Sequence, residues 1–218
     1  MAVERVSPFG LKEVADVYFF PAGCSIDISA TYNTTYYGGY ISAGPTAPLF
    51  IFDTLKVSNI EVSSEDTSAT GGKGNPELIS WSYGKEITFT MEDAVFSMAT
   101  LDLMFGANAS VDDSDTPAKI TIDSDTFPAN YCIVGLTYMR KQVDGKDYPF
   151  VFEIPNAKVQ VGGTLTMEAD GDPTTFEMTI KALKKGQGDD KNALVIFHPV
   201  NEAVSGSTHT SDNVKTTS

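Results

Sequence analysis

The sequence predicts a mainly β protein, an antiparallel β-sandwich with one short flanking helix and long loops. Three observations carry this expectation. The hydrophobic period is close to two in most of the informative segments, as on strands with one buried face. Turn sequences rich in glycine and aspartate separate those segments at short intervals, which suits a sandwich or barrel better than alternating strands and helices. One stretch alone has a convincing helical period.

Taken in order, residues 11–17 read as a short helix, and residues 25–31 and 49–57 as strands. In Ile87-Thr-Phe-Thr-Met91 apolar side chains alternate with threonines, a half-buried strand. A helix is expected over 98–105. Ser97 can cap it, Met98, Leu101, Met104 and Phe105 recur at spacings of three and four, and Gly106 can end it. The bland reading of that stripe is packing against a sheet. Further strands are expected over 119–123, 131–139, 150–154 and 194–198, with Val143-Asp-Gly-Lys146 as a turn. The clearest strand places Phe176, Met178, Ile180 and Ala182 on one face and Thr175, Glu177, Thr179 and Lys181 on the other. It follows the turn Asp170-Gly-Asp-Pro173 and is expected to form a hairpin with 164–168.

Two stretches are long for ordinary connections and are expected as functional or mobile loops. Residues 31–48 carry Tyr32, Tyr36, Tyr37 and Tyr40. Residues 58–77 include Gly71-Gly-Lys-Gly-Asn-Pro76. Both belong to a single expected domain over 1–200, followed by a polar, disordered tail over 201–218.

Bulk composition excludes several classes of function. A chain of 218 residues with 41% hydrophobic content can bury a sizeable core. Its 29 acidic against 15 basic residues give a net charge of −14, which repels phosphates and argues against sequence-specific nucleic-acid binding. No apolar run approaches the roughly 20 residues of a membrane helix. The opening residues lack a basic flank before an apolar signal core, so synthesis in the cytosol is expected. Cys24 and Cys132 then read as reduced, buried small residues rather than a disulfide.

Catalytic constellations are missing. His198 and His209 belong to no His-Glu-x-x-His pair, and two cysteines cannot complete a zinc site of the usual spacing. No Gly-x-Ser-x-Gly elbow occurs. Gly71-Gly-Lys-Gly74 lacks the spacing of a phosphate loop. The acidic turns at 112–115 and 123–125 lack the distal glutamate of a calcium loop and read as solvated turns. No residue is assigned a catalytic, cofactor or metal role, and a structural protein is expected rather than an enzyme.

The stretch Gly72-Lys-Gly-Asn-Pro-Glu-Leu-Ile-Ser-Trp81, continuing Ser82-Tyr-Gly-Lys-Glu-Ile-Thr-Phe-Thr-Met-Glu-Asp-Ala94, resembles the major tail, or tail-tube, proteins of long-tailed bacteriophages. Residues 171–182 and Phe150-Val-Phe-Glu-Ile-Pro-Asn-Ala-Lys-Val-Gln160 resemble them too. The resemblance implies a virion protein of the phage tail, made in the host cytoplasm. Its copies would join sheet edges into a ring, usually hexameric, and the rings would stack into a tube through which DNA passes. It implies the chain itself as main partner, with tail terminator, baseplate and tape-measure proteins as further partners. Within it Gly71, Gly72, Lys73, Gly74, Asn75 and Pro76 are the candidate stacking loop, and Leu78, Ile79 and Trp81 would anchor the return strand. Besides an enzyme with a carboxylate pair, which no motif in the sequence proposes, two other readings stay open. One is another tail or capsid-decorating protein. The other is a carbohydrate-binding β-sandwich that stacks sugars on the four tyrosines of 31–48.

Overall fold

The structure, a computed structural model, describes residues 9–11, 16–93, 98–106, 124–125, 127–160 and 176–200. In chain order the elements are β1 (Phe9–Leu11), β2 (Asp16–Pro21), β3 (Asp27–Ile28), β4 (Ile41–Ser42), β5 (Phe50–Phe52), β6 (Leu55–Thr70) and β7 (Glu77–Asp93). They continue with α1 (Met98–Phe105), β8 (Asn130–Lys141), β9 (Asp147–Val159), β10 (Phe176–Ala182) and β11 (Ile196–Pro199). The mainly β, antiparallel expectation holds. Nine strands form one sheet in the order β5-β2-β8-β9-β10-β7-β6, with β1 added to β8 and β11 to β9, while β3 and β4 pair separately.

The sheet curls around a principal core. Strands from both of its halves point into it: Val17 and Phe19 of β2, Ile133 of β8, Ile154 of β9, Phe89 and Met91 of β7, and Met178 and Ile180 of β10. Helix α1 adds Leu103 and Met104. The helix spans the expected residues, and Gly106 follows it with φ 59°, the left-handed conformation that favours glycine after a last helical turn. A Cβ there would lie 2.4 Å from the Phe127 carbonyl carbon. The β10 alternation is also as read: Phe176, Met178, Ile180 and Ala182 are buried and Glu177 is exposed.

A second core lies on the opposite face of β2 and β8. Tyr18, Phe20, Cys132, Val134, Leu136 and Val151 are covered there by Tyr40, Ile41 and Ala43. The tyrosine-rich stretch 31–48 is therefore a packed cover, with Tyr40 only 3% exposed. Its turns are closed by backbone bonds such as Asn33 N–H to Gly39 O at 2.8 Å and Gly39 N–H to Tyr36 O at 3.1 Å.

Burial on both faces explains one correction. The helix expected over 11–17 is overturned at its described residues, which are strand: Leu11 ends β1, and Asp16 and Val17 open β2; 12–15 lie outside the described residues. The run Val17-Tyr-Phe-Phe20 is buried at every position, so it shows no period of two, and its β-branched and aromatic content decides for a strand. The strand expected over 25–31 shrinks to Asp27–Ile28. A larger correction concerns 58–77, expected as a loop, of which all but the turn at 71–76 is strand. Ser97, the acidic turn 112–115, the strand 119–123, the hairpin partner 164–168 and the tail 201–218 lie outside the described residues.

Candidate functional site: a projecting β-arm

Strands β6 and β7 form a hairpin whose ladder runs from Leu55↔Asp93 to Thr70↔Glu77. Its base belongs to the core. Ile87, Phe89, Met91 and Asp93 are buried, alternating with half-buried Thr88, Thr90 and Glu92, and β7 pairs there with β10 from Thr88↔Lys181 to Asp93↔Phe176. The Thr54 hydroxyl donates to Asp93 Oδ1 at 2.6 Å, and Lys181 Nζ lies 2.8 Å from Glu86 Oε1 across the β7–β10 seam.

Above Glu86 the arm leaves the core. A register irregularity between Ser63 and Glu65 faces Gly84, whose φ is 65°. Every residue from Glu77 to Lys85 is exposed. At about 3.3 Å per residue, the strand from Ser63 to Thr70 carries the tip on the order of 25 Å beyond the body. The tip is closed by Gly71 N–H to Pro76 O and Asn75 N–H to Gly72 O, both at 3.1 Å. Gly72, Gly74 and Asn75 hold positive φ in it, a backbone that glycine and asparagine tolerate best.

The structure thus brings Gly71, Gly72, Lys73, Gly74, Asn75 and Pro76 together as the turn of a long hairpin. It does not place Leu78, Ile79 and Trp81 in the core. They are 64%, 55% and 51% exposed. The return strand is held instead by Ile87, Phe89 and Met91, whose alternation with threonine marked them in the sequence.

The arm is not uniformly polar. Side chains two apart share a face of a strand, so Ile79, Trp81 and Tyr83 line one side, opposite Ala69, Thr67 and Glu65 of β6. All three are large, apolar or aromatic, and exposed. Tyr83 belongs to this stripe although the sequence reading passed over it; its spacing of two from Trp81 was the signal. A two-stranded hairpin is marginally stable alone in water. Adjoining exposed apolar side chains are the kind of surface at which proteins commonly meet partners.

Elsewhere the chemistry is sparse. His198 Nε2 lies 3.4 Å from Glu153 Oε2 across the β11–β9 pair. Among the described residues, no three His, Cys, Asp or Glu side chains are arranged to hold a metal ion, and no helix is long and apolar enough to cross a membrane.

The sequence profile of the YomU/Tube protein family matches residues 44–112 and 108–196. These ranges contain the arm, β8 to β10 and all three stretches on which the resemblance to tail-tube proteins rests. No curated protein matches the chain. The matched ranges take in well over half of the sequence, and the chain therefore belongs to the YomU/Tube protein family, a phage tail-tube family, whose members are structural components of the virion tail.

Proposed function

We propose that copies of this chain close into a ring, that the ring is hexameric, and that rings stack into the tail tube through the β6–β7 arm. The observation that carries the reading is the arm itself, a hairpin projecting from the body with Ile79, Trp81 and Tyr83 exposed along one face. In a tube-forming family the natural cover for that stripe is the neighbouring subunit. Burial against it would remove apolar area from water at about 25 cal/mol per Å². Among the described residues β5 and β6 end the sheet order, and edge strands of this kind are templates for joining sheets side by side within a ring. A heterologous contact of this kind closes as a ring or runs on as a filament.

The turn Gly71–Pro76 acts as the stacking tip, while Leu78, Ile79 and Trp81 act as contact residues rather than core anchors. The ends of the tube meet terminator and baseplate proteins, and its lumen holds a tape-measure protein before DNA. A net charge of −14 suits a wall along which DNA slides, because such a wall gains nothing from counterion release. The carbohydrate-binding reading loses its platform: Tyr40 is buried in the second core and Tyr37 packs against it, which leaves Tyr32 as the one exposed ring of the four among the large exposed hydrophobics.

Negative-stain electron microscopy of the purified chain across a concentration series tests the proposal. Rings or hollow tubes of uniform width are the expected result. A monomer persisting at the highest concentration would overturn self-assembly as the intrinsic property of this chain. Replacing both Ile79 and Trp81 by serine is expected to abolish stacks while leaving the far-UV circular dichroism unchanged.

A further inference from the structure

Two thiols far apart in the sequence meet in the second core. The β2–β8 register sets Phe20 opposite Cys132. After Pro21 the chain turns back through Gly23, with φ 78°, and the Cys24 N–H closes that turn on Pro21 O at 3.3 Å. The turn returns Cys24 to the face of the sheet where Cys132 points, and both side chains belong to the same apolar cluster. The two thiols are hydrogen-bonded to one another and both are free. Cys132 is 1% exposed, whereas Cys24 is half-buried and reachable from solvent. Glu153 and Lys185 are the charged groups acting on the pair.

We propose that Cys24 and Cys132 form a dithiol–disulfide couple, oxidised by an external low-molecular-weight disulfide, whose bond staples the cover at 24–43 to the β2–β8 sheet. The proposal does not depend on the tube reading. The Cys24 thiolate attacks one sulfur of the external disulfide and expels the other as a thiolate, leaving a mixed disulfide on Cys24. Cys132 then releases its proton and attacks the Cys24 sulfur, expelling the second thiolate. Two protein thiols lose two electrons and two protons, and the external disulfide is reduced to two thiols.

The order of attack follows from the surroundings. Hydrogen bonding from Cys132 holds the Cys24 thiol below its ordinary pKa, against burial and the charge of Glu153. Cys132, which donates that bond and is buried, is held far above its own. Cys24 is thus the accessible nucleophile and Cys132 the resolving thiol. The bond would close a loop about half the chain long, so the oxidised form should gain stability chiefly by constraining the unfolded chain. Cys24 precedes the family-matched residues and Cys132 lies within them, so the staple would fasten this chain's own cover onto the sheet of the family.

The full-length chain, purified under reducing conditions, is equilibrated in glutathione buffers of graded oxidised-to-reduced ratio. One portion is quenched in acid, unfolded in denaturant and alkylated with a maleimide so that both thiols are reachable, and its intact mass and non-reduced peptide map are measured; the unfolding midpoint is taken on the untreated remainder. Expected are loss of both alkylation sites together, a Cys24–Cys132 cross-linked peptide, and a midpoint raised by roughly 5–10 °C. Cys132→Ser is expected to retain a stable glutathione adduct on Cys24, and Cys24→Ser to leave Cys132 unmodified. A persistent glutathione adduct on the wild-type chain, a disulfide between two copies, or two thiols still alkylated at the most oxidising ratio would overturn the proposal.

Discussion

Two aromatic residues on the same strand show how much position outweighs type. Phe89 is 0% exposed in the principal core, where its ring lies 5.3 Å from that of Phe152. Phe89→Ala should destabilise the subunit by about 3–5 kcal/mol through lost burial and a cavity. Trp81→Ala, on the exposed part of the strand, should change stability by about 0.5 kcal/mol or less. Urea unfolding of the dilute subunit checks both. Gly135 is a further sensitive point, since a Cβ there would stand 2.1 Å from Cζ of Phe152. Gly135→Ala should cost about 1–3 kcal/mol by forcing that ring aside, read in the same unfolding series. Phe89 was legible because threonines flank it and give its strand a period of two. Trp81 was misplaced because a large aromatic side chain is usually buried, and the apolar neighbours Leu78 and Ile79 looked like core. They are apolar yet exposed, a distinction that a pattern of side-chain types does not carry.

For the elements, the instructive case is the arm. Ser63-Ser-Glu-Asp-Thr-Ser68 suggests a loop because nothing in it alternates, yet it is strand. A strand that leaves the body has no buried face to impose a period, so its β character rests on backbone pairing and a closed turn. Such an arm should be the first part of the free subunit to be cut. Limited proteolysis is expected to cleave within 63–85 in the monomer and to leave that stretch protected in assembled tubes. Deleting Gly71 to Gly74 should leave a folded subunit that stacks poorly, measured as shorter polymers by electron microscopy. Tubes of normal length after the deletion would remove the tip from the contact. The hairpin β8–β9, by contrast, was legible at both strands and at the turn. Its turn carries local bonds that the Asp-Gly wording announces, including Lys146 N–H to Asp144 Oδ1 at 3.1 Å.

Over the whole molecule, the class of fold was legible and the wiring was not. Half-buried strands such as β10 signal β structure one at a time. Which strand lies beside which is decided by packing between distant segments. The sharing of β2 between two cores left only a nearly continuous apolar run, which shows no period and left 18–21 without an expected element. That same placement has a kinetic consequence. β2 is made early but pairs with β8, from Asp16↔Leu136 to Pro21↔Tyr131, so the centre of the sheet cannot close until most of the chain exists. Pairings of such long range carry a large loop-closure entropy and fold in milliseconds to seconds, whereas a local hairpin closes in about 1–10 μs. The β6–β7 arm is local, so its sticky stripe is presented by chains that have not yet acquired a body. Refolding should therefore lose yield steeply as concentration rises, and a stripe carrying serine at 79 and 81 should recover it.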